Sequence, residues 1–534
     1  MQVPFDIAAL SDTADGLPGL ATYGWPLAFA EVGRLNAELQ AGLETLVRET
    51  RGSEAGAVLE IAAPPVLVTF LTLAVACRTA AAADIKGARF AFGRPGLMQA
   101  LSAGTKPDFS IFFDQAIARF ERARQPLSSN PLRRTAHGLI ANRGPLWPGS
   151  RTIGILNHNR LLLNNARGRT AHRFRFFTAD QLFDGPVDGP VESSLCLALD
   201  EISGALAELF ARVAEPHQAA LVDAASEALG NWLVAVARHR AGLRGRWKKP
   251  PQELWTGTGG NHMTRLARAQ VIEDGGGVTA FEHGGGGHIH RDLGAHHLHE
   301  FTLCQRFVAD TPAKADAYRH AIDPRRLPAD AMPDIVPSTA VSGSLRWLDG
   351  APSATIRKVM YVTTAFVGEI QYPLQPLLPD IVYADWQGRL IDRLVAADFE
   401  VVCKQHPEGL RRGEPLRMSR HADYIGGRFA EVRDQADAFV FDYPATTALW
   451  EAMCTRKPVL FVDLGLCDWA AEPWRLFRER CSIVSAQHDS RNLPQVETAA
   501  LRSALIEAPI ASPETDRFAE AYLVGEPRDE KHIR

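Results

Sequence analysis

The sequence predicts an α/β protein with two Rossmann-like domains, each built on a parallel sheet covered on both faces. Three observations predict it. Between Lys358 and Val484, strand-like and helix-like segments alternate without a break. The strand-like segments are near-continuous apolar runs, as expected of strands buried on two faces, rather than the alternating pattern of a half-exposed sheet. The order strand, glycine turn, helix, strand occurs again between Glu253 and Phe281, so a second sheet of the same kind is expected.

A chain of 534 residues is too long for one core, and two large domains are the simplest division. Its 46% hydrophobic and 22% charged residues are ordinary globular composition. A net charge of −4, from 58 basic and 62 acidic residues, leaves no basic excess for a general nucleic-acid binder. The seven cysteines are scattered singly, without a CxxC pair, which fits buried thiols in a reducing compartment. The N-terminal MQVPFDIAAL has neither the basic nor the apolar region of a secretory signal. The strongest apolar run, residues 61–77, is 17 residues long and contains Pro64-Pro65. A membrane span needs about 20, so a buried helix is expected.

Each element of the C-terminal half can be justified in turn. Lys358–Val362 is β-branched and apolar and stops at Thr363-Thr364, so it opens a domain as a strand. Residues 383–397 carry Leu390, Ile391 and Leu394 on one helical stripe. Residues 399–404 form the next strand, ended by Gln405-His406-Pro407, because proline cannot donate to a ladder. A short helix, 428–435, leads to a strand at 438–442, and Tyr443-Pro444-Ala445 opens a helix at 446–454. A strand at 458–462, a helix at 469–480 and a last strand at 482–484 complete the unit. In the N-terminal half, strands are expected at 58–61, 109–113, Thr152–Leu156, Glu253–Thr256 and 278–281. Helices are expected at 195–213, 218–239 and 265–272, the first two as a helical insertion. Residues 327–352, rich in Pro, Ser, Asp and Gly, read as a linker. The expected division is therefore 1–335, 353–510 and a tail at 511–534, frayed from Glu526 onward.

Parallel sheets bind ligands beyond the carboxyl ends of their strands. Thr363-Thr364, His406, residues 443–447 and Asp463 all fall there. Lys404 and His406 share a strand face, and a histidine N–H can donate to phosphate. Thr446 or Thr447 can cap a helix whose free N–H groups suit an anion. Both motifs are read as sitting on consecutive strand ends, within reach of one phosphate or diphosphate. The plainer readings are a surface histidine with a solvated lysine, and an ordinary N-cap.

On the N-terminal side, His283 precedes Gly284, Gly285, Gly286 and Gly287. Glycine permits close approach of a ligand, and His283 is placed to act as acid, base or phosphate donor. His283, His288, His290, His296, His297 and His299 lie within 17 residues, with Asp292 and Glu300 among them. His288 and His290 alternate like strand ligands, so a transition metal is a rival reading. Gly257-Thr258-Gly259-Gly260 matches neither GxGxxG nor a Walker A loop, which argues against dinucleotide or ATP binding. The basic stretch 238–249, with Trp247, reads as a solvated helix end or as a contact for an anionic acceptor or membrane surface.

A His-Gly-Gly turn, a His-Pro strand end and a Thr-Thr helix start in this order resemble the GT-B glycosyltransferases of bacterial surface-carbohydrate synthesis. The resemblance is strongest to transferases that use CMP-Kdo or CMP-nonulosonic acids, which are sialyltransferase-like, and to CDP-glycerol glycerophosphotransferases. It covers residues 255–484; residues 1–250 carry no such motif. It implies two Rossmann-like domains facing a central cleft, the first with a helical insertion. It implies transfer of Kdo or a sialic-acid-like sugar from a CMP-sugar donor to a glycan, lipid-linked or protein acceptor. No further cofactor, metal or nucleic acid is implied. Capsule or lipopolysaccharide biosynthesis in the cytoplasm, with peripheral contact at the inner membrane, is the implied setting. Carried over by motif, His406-Pro407 and Thr446-Thr447 bind the CMP phosphate and Glu451 meets the ribose; Lys404, Thr363, Gly284 and Gly285 complete the expected donor site. His283, Asp292 and Glu300 are the expected catalytic groups on the acceptor side. The acidic-acidic-Gly motif that carries the base in such sialyltransferases has only the letters of Glu273-Asp274-Gly275, at a helix end. Three rivals remain at this point: a metal-dependent enzyme or metal-binding protein using the cluster from His283 to Glu300, a sugar-nucleotide epimerase of the same fold, and a non-catalytic binding module.

Overall fold

The computed structural model describes residues 2–10, 20, 24–93, 95–105, 152–167, 172–177, 182, 189–213, 219–284, 286–328, 331–340, 345–348, 355–374, 377–406, 417–512 and 514–524. The strand expected at 109–113, Gly285, Pro407 and the chain from Glu526 lie outside the described residues.

A small parallel ribbon joins β1 (Gln2–Pro4) to β2 (Arg89–Ala91). The first large sheet contains β3 (Thr152–Leu156), β4 (Arg173–Phe176), β5 (Glu253–Thr256), β6 (Gly277–Phe281), β7 (Arg306–Ala309) and β8 (Asp334–Pro337). Its order is β4-β3-β5-β6-β7-β8, all parallel. The second contains β9 (Lys358–Val362), β10 (Glu400–Lys404), β11 (Ala422–Ile425), β12 (Ala438–Phe441), β13 (Val459–Asp463) and β14 (Ser482–Ser485). Its order is β11-β10-β9-β12-β13-β14, again all parallel. Two six-stranded parallel sheets with crossover helices are the two-domain, GT-B-like α/β architecture that the sequence predicts.

The differences have physical reasons. β11 was not expected, because Ala422-Asp423-Tyr424-Ile425 is an edge strand, only half-buried and partly polar. β8 is the far edge of the first sheet and lies inside the stretch read as a linker. β4 and β7 carry arginines at Arg173, Arg175 and Arg306, which broke the apolar signal. Residues 58–61 are not a strand but part of a 33-residue helix. A four-residue apolar run cannot tell the two apart.

Helices α1 (Phe29–Thr50), α2 (Glu54–Lys86), α3 (Ser193–Val213) and α4 (Ala219–Arg246) pack together as a bundle. Central α2 touches α1, α3 and α4 and also α5 (His262–Glu273), the crossover between β5 and β6. Its apolar window is 89% buried, so its hydropathy is accounted for by protein neighbours. The Ser53 hydroxyl caps it by accepting from Gly56 N–H at 2.9 Å, and Gly87, at φ +64°, ends it. Pro64 and Pro65 lie within it. They cannot donate to the carbonyls of Glu60 and Ile61, four residues back. Both carbonyls accept instead from the guanidinium of Arg265 on α5.

Further crossovers include α6 (Pro312–Ala321), α7 (Asp380–Ala396), α8 (Thr447–Met453) and α9 (Ala471–Arg480), and α10 (Thr498–Ile506) follows the last strand of the second sheet. Residues 514–524, expected as part of a tail, are packed. Phe518 stacks on Trp450, and Ala521 O accepts from the Thr311 hydroxyl of the first domain. Asp516 anchors this return through a buried ion pair with Arg480 at 2.7 Å. Removing one partner leaves a buried charge uncompensated. Asp516→Ala should therefore lower unfolding free energy by about 3–5 kcal/mol in urea titrations, whereas exposed Glu472→Ala should change it by less than about 1 kcal/mol.

Candidate functional site in the cleft between the sheets

The carboxyl edges of the two sheets face each other. The loop after β6 meets the loop after β13: Arg291 N–H donates to Asp468 O at 2.9 Å, and Ala470 N–H donates to Ile289 O at 2.7 Å. His290 and Trp469 form an antiparallel bridge between them. His288 is buried against Trp450, Phe518 and Tyr522, its ring stacked on Tyr522 at 5.0 Å. It lies in a short 3-10 turn, Gly287–Ile289, not in a strand as the metal reading required.

The other histidines of the cluster also hold the loop together. His296 and His297 bond through Nδ1 to Leu293 O and Gly294 O, each at 2.8 Å, and His297 Nε2 accepts from Asp323 N–H at 3.0 Å. Burial pushes His290 and His299 down to about 3 and His297 to about 4, so these rings stay neutral at neutral pH. Among the described residues, no group of three or more His, Cys, Asp or Glu side chains is arranged to hold a metal ion. Part of the glycine run is packing as well. A Cβ on Gly287 would lie 2.5 Å from the Tyr318 hydroxyl. Gly284 is exposed beside His283. Glu282 pins the end of β6: its carboxylate accepts from Asp310 N–H at 3.0 Å and Tyr318 at 3.2 Å and pairs with Lys314 at 3.3 Å.

Of the three expected catalytic residues, two come together. Glu300 sits on a π-helical turn, His297–Phe301. Its carboxylate accepts from Gly259 N–H at 3.1 Å. Burial raises its pKa, against the pull of Arg268, His283 and Arg265. His283 is thus close enough for its charge to act on Glu300. Asp292 is not part of this group. Its two oxygens accept from Arg326 at 2.6 and 2.7 Å, and Arg326 also binds Glu44 on α1 at 2.7 and 2.9 Å. Asp292 locks the loop to the helical bundle.

Sequence reasoning missed the residues after β3. Asn159 donates to Gly257 O and Glu282 O, each at 2.9 Å, and so ties the ends of β3, β5 and β6. Asn157, at φ +53°, donates to the Thr264 hydroxyl at 2.7 Å. Arg160 follows, and its charge reaches Glu451 of the opposite domain. The signal was present, since Asn157-His158-Asn159-Arg160 directly follows a strand that had been recognised.

On the C-terminal side the topology changes the expected geometry. His406 follows β10 and Thr446 follows β12, but β9 lies between those strands. Two strand spacings are about 9–10 Å, so the two motifs do not sit on neighbouring strand ends. Buried Thr363 occupies the middle position at the end of β9, its N–H donating to Lys404 O at 3.1 Å. Lys404 is buried, not solvated; its amine donates to Gln405 O at 3.3 Å, and burial lowers its pKa. Thr446 is the N-cap of α8 by backbone geometry, but its side chain makes no capping bond, and Thr447 is exposed. Glu451 is half-buried and raised by burial, with Arg433, Arg160 and Lys404 drawing it down. Positive charge from both domains thus acts on this one carboxylate.

Asp442, at the end of β12, fixes this edge from beneath. Its carboxylate accepts from Tyr361, from Tyr383 at 3.0 Å and from Trp386 Nε1 at 2.9 Å. The Tyr383 hydroxyl in turn accepts from Thr364 N–H at 2.9 Å. Burial raises Asp442 to about 6, against those three donors.

No family model matches the chain, and no curated protein matches it. Among solved structures it is similar to CalG4, the calicheamicin glycosyltransferase, at 13% identity. The match covers 67% of this chain and 89% of that one, with a TM-score of 0.29. So low a score decides nothing about this chain's chemistry.

The Asp442 network makes a pH prediction. Its folded-state pKa lies above the unfolded value, so the folded protein holds the proton more tightly. The stabilisation is complete below about pH 4 and is lost as pH rises to about 6. A shift from 3.8 to about 6 corresponds to about 3 kcal/mol. Urea unfolding of Asp442→Asn should show a smaller fall in stability between pH 4 and pH 7 than wild type, by about that amount. Parallel curves would remove Asp442 from the titration.

Proposed function

We propose that the chain is a glycosyltransferase that takes its sugar from a nucleotide-activated donor, of which a CMP-sugar carrying Kdo or a sialic-acid-like acid is the specific reading. The observation that carries the proposal is the cleft: two parallel sheets present their carboxyl edges to each other, and cationic and hydroxyl groups cluster on one side. Lys404, His406, Thr363 and the Thr446-Thr447 helix start supply donors to the leaving phosphate from three strand ends, with Thr363 bridging the gap. Such preorganised donors stabilise charge that builds as the glycosidic bond to phosphate breaks. Glu451 is available to the nucleotide's ribose hydroxyls.

The acceptor enters from the first domain. As its hydroxyl attacks the sugar's anomeric carbon, Glu300 takes the proton, with His283 beside it, and the phosphate departs with the nucleotide. A raised carboxylate pKa suits a base that must work near neutral pH. Water excluded from the cleft cannot hydrolyse the donor. The acceptor is read as a glycan, a lipid-linked sugar or a protein; the free cysteines fit a cytoplasmic setting.

Three measurements test this. CMP or a CMP-sugar should raise the melting temperature, since a ligand of the native state stabilises it, while UDP and GDP should leave it unchanged. His406→Ala should lose about tenfold in turnover, one hydrogen bond to a charged group. Glu300→Gln should lose at least about 100-fold in kcat with the donor's thermal shift intact. In wild type the base must be deprotonated, so activity should fall on the acid side. Because the Glu300 pKa is raised, that limb should lie above the ordinary carboxylate range. An acid limb kept by Glu300→Gln would exclude the base role.

A further inference from the structure

Arg265 is fully buried, and each of its N–H groups has an acceptor within reach. Nε donates to Ile61 O at 3.2 Å, and Nη2 to Glu60 O and to the Thr302 hydroxyl at 2.8 Å. Nη1 donates to Leu298 O at 2.7 Å and to Gly259 O at 3.3 Å. The guanidinium thus joins three separate pieces of chain: the proline break in α2, the Gly257–Gly260 loop and the π-helical turn that carries Glu300. Burial lowers its pKa to about 10, which leaves it charged at neutral pH.

The loop it holds leaves no slack. A Cβ on Gly259 would fall 2.1 Å from His299 O, so loop and π-turn are in direct contact. Arg268, one turn further along α5, donates to Thr258 O at 3.3 Å. That carbonyl belongs to the same peptide group as the Gly259 N–H, which binds the Glu300 carboxylate. The two arginines therefore grip the carbonyls on either side of Gly259 while its N–H meets Glu300. The prolines make this possible. An ordinary helix would bond the carbonyls of Glu60 and Ile61 to N–H groups at positions 64 and 65, but proline has none.

We propose that Arg265 is a positioning residue of the cleft, and that Pro64-Pro65 exist in α2 to hand it two carbonyls so that it holds Gly259 and Glu300 in place. Its activity readout rests on the reading of Glu300 as the base; its structural readout does not. The charged and titratable groups facing Glu300 are Arg265 and Arg268 from α5, His283 from the end of β6, Cys304 from the following loop and Tyr318 from α6.

The test compares the full-length protein with three variants: the double substitution Pro64→Ala/Pro65→Ala, Arg265→Lys, and Glu300→Gln. Glutamate labelled with 13C at Cδ reports carboxyl titrations, and the signal missing in Glu300→Gln identifies that of Glu300. The double alanine variant regains helical N–H groups but draws two carbonyls away from a buried guanidinium, so it should still fold, with a melting temperature no higher than that of wild type. Its Glu300 titration should nevertheless move upward by about half a pH unit or more as the Gly259 bond loosens. Its kcat for a CMP-sugar should fall about tenfold with KM within about twofold. Arg265→Lys keeps the charge but not the planar fork, so it should shift the titration in the same direction and not rescue turnover. A double alanine variant that folds with the Glu300 titration unmoved would overturn the proposal. A titration that shifts as expected, with full turnover in Glu300→Gln, would leave the positioning standing and overturn the reading of Glu300 as base.

Discussion

A guanidinium buried among backbone carbonyls is the constraint on which the first domain depends. Moving a charge out of water is costly unless each of its hydrogen-bonding groups finds a partner. Arg265 meets that condition only because three chain segments converge on it, one of which, the proline break in α2, would otherwise leave two carbonyls without helical donors. The double proline breaks the hydrogen-bond ladder of the most apolar helix among the described residues, and the break is repaired from another element. Helical bundle, glycine loop and Glu300 turn are thereby one mechanical unit.

The second domain uses the opposite sign for the same end. Asp442 gathers Tyr361, Tyr383 and Trp386 under the edge where β9 and β12 part company. That edge is the point at which strand order reverses, where parallel sheets hold ligands. Beneath it the network is closed; beside it Lys404 and His406 stand at the end of β10 and Thr363 at the end of β9. Between the domains, the loop after β6 is held by backbone pairing to the loop after β13 and by His288 in its aromatic box, and Thr311 after β7 is held by the returning chain at Ala521. His288 and His290 are spent on this junction, while His296 and His297 tie the loop to itself and to Asp323. Of the six histidines only His283 is exposed, and the others are buried or half-buried in packing.

Much of the fold was legible because parallel strands buried on both faces leave long apolar runs. The strands at Lys358–Val362, Thr152–Leu156 and Glu253–Thr256 were placed to the residue for that reason. Edge strands such as Ala422–Ile425 and Asp334–Pro337 escaped because one side of an edge meets solvent and its residues are mixed. The site was legible in part. His283, Glu300, Lys404, His406 and Thr363 fall at strand ends or on the following turns, as residue order alone suggests. Asp292 was grouped with them only by nearness in sequence, whereas Arg326 draws it toward α1.

Local pattern by itself determined the two parallel α/β units, the buried character of residues 61–77 and the strand ends at which polar residues gather, because periodicity and proline stops act over a few residues. Tertiary structure alone decided which strand ends are neighbours. His406 and Thr446 follow strands that are close in sequence, yet β9 separates them, because the sheet winds first one way from β9 and then the other. It also decided the fate of the prolines. Nothing near Pro64-Pro65 shows that a guanidinium some 200 residues away fills the gap, since a buried hydrogen bond depends on distance in space and leaves no mark on the spacing of the chain.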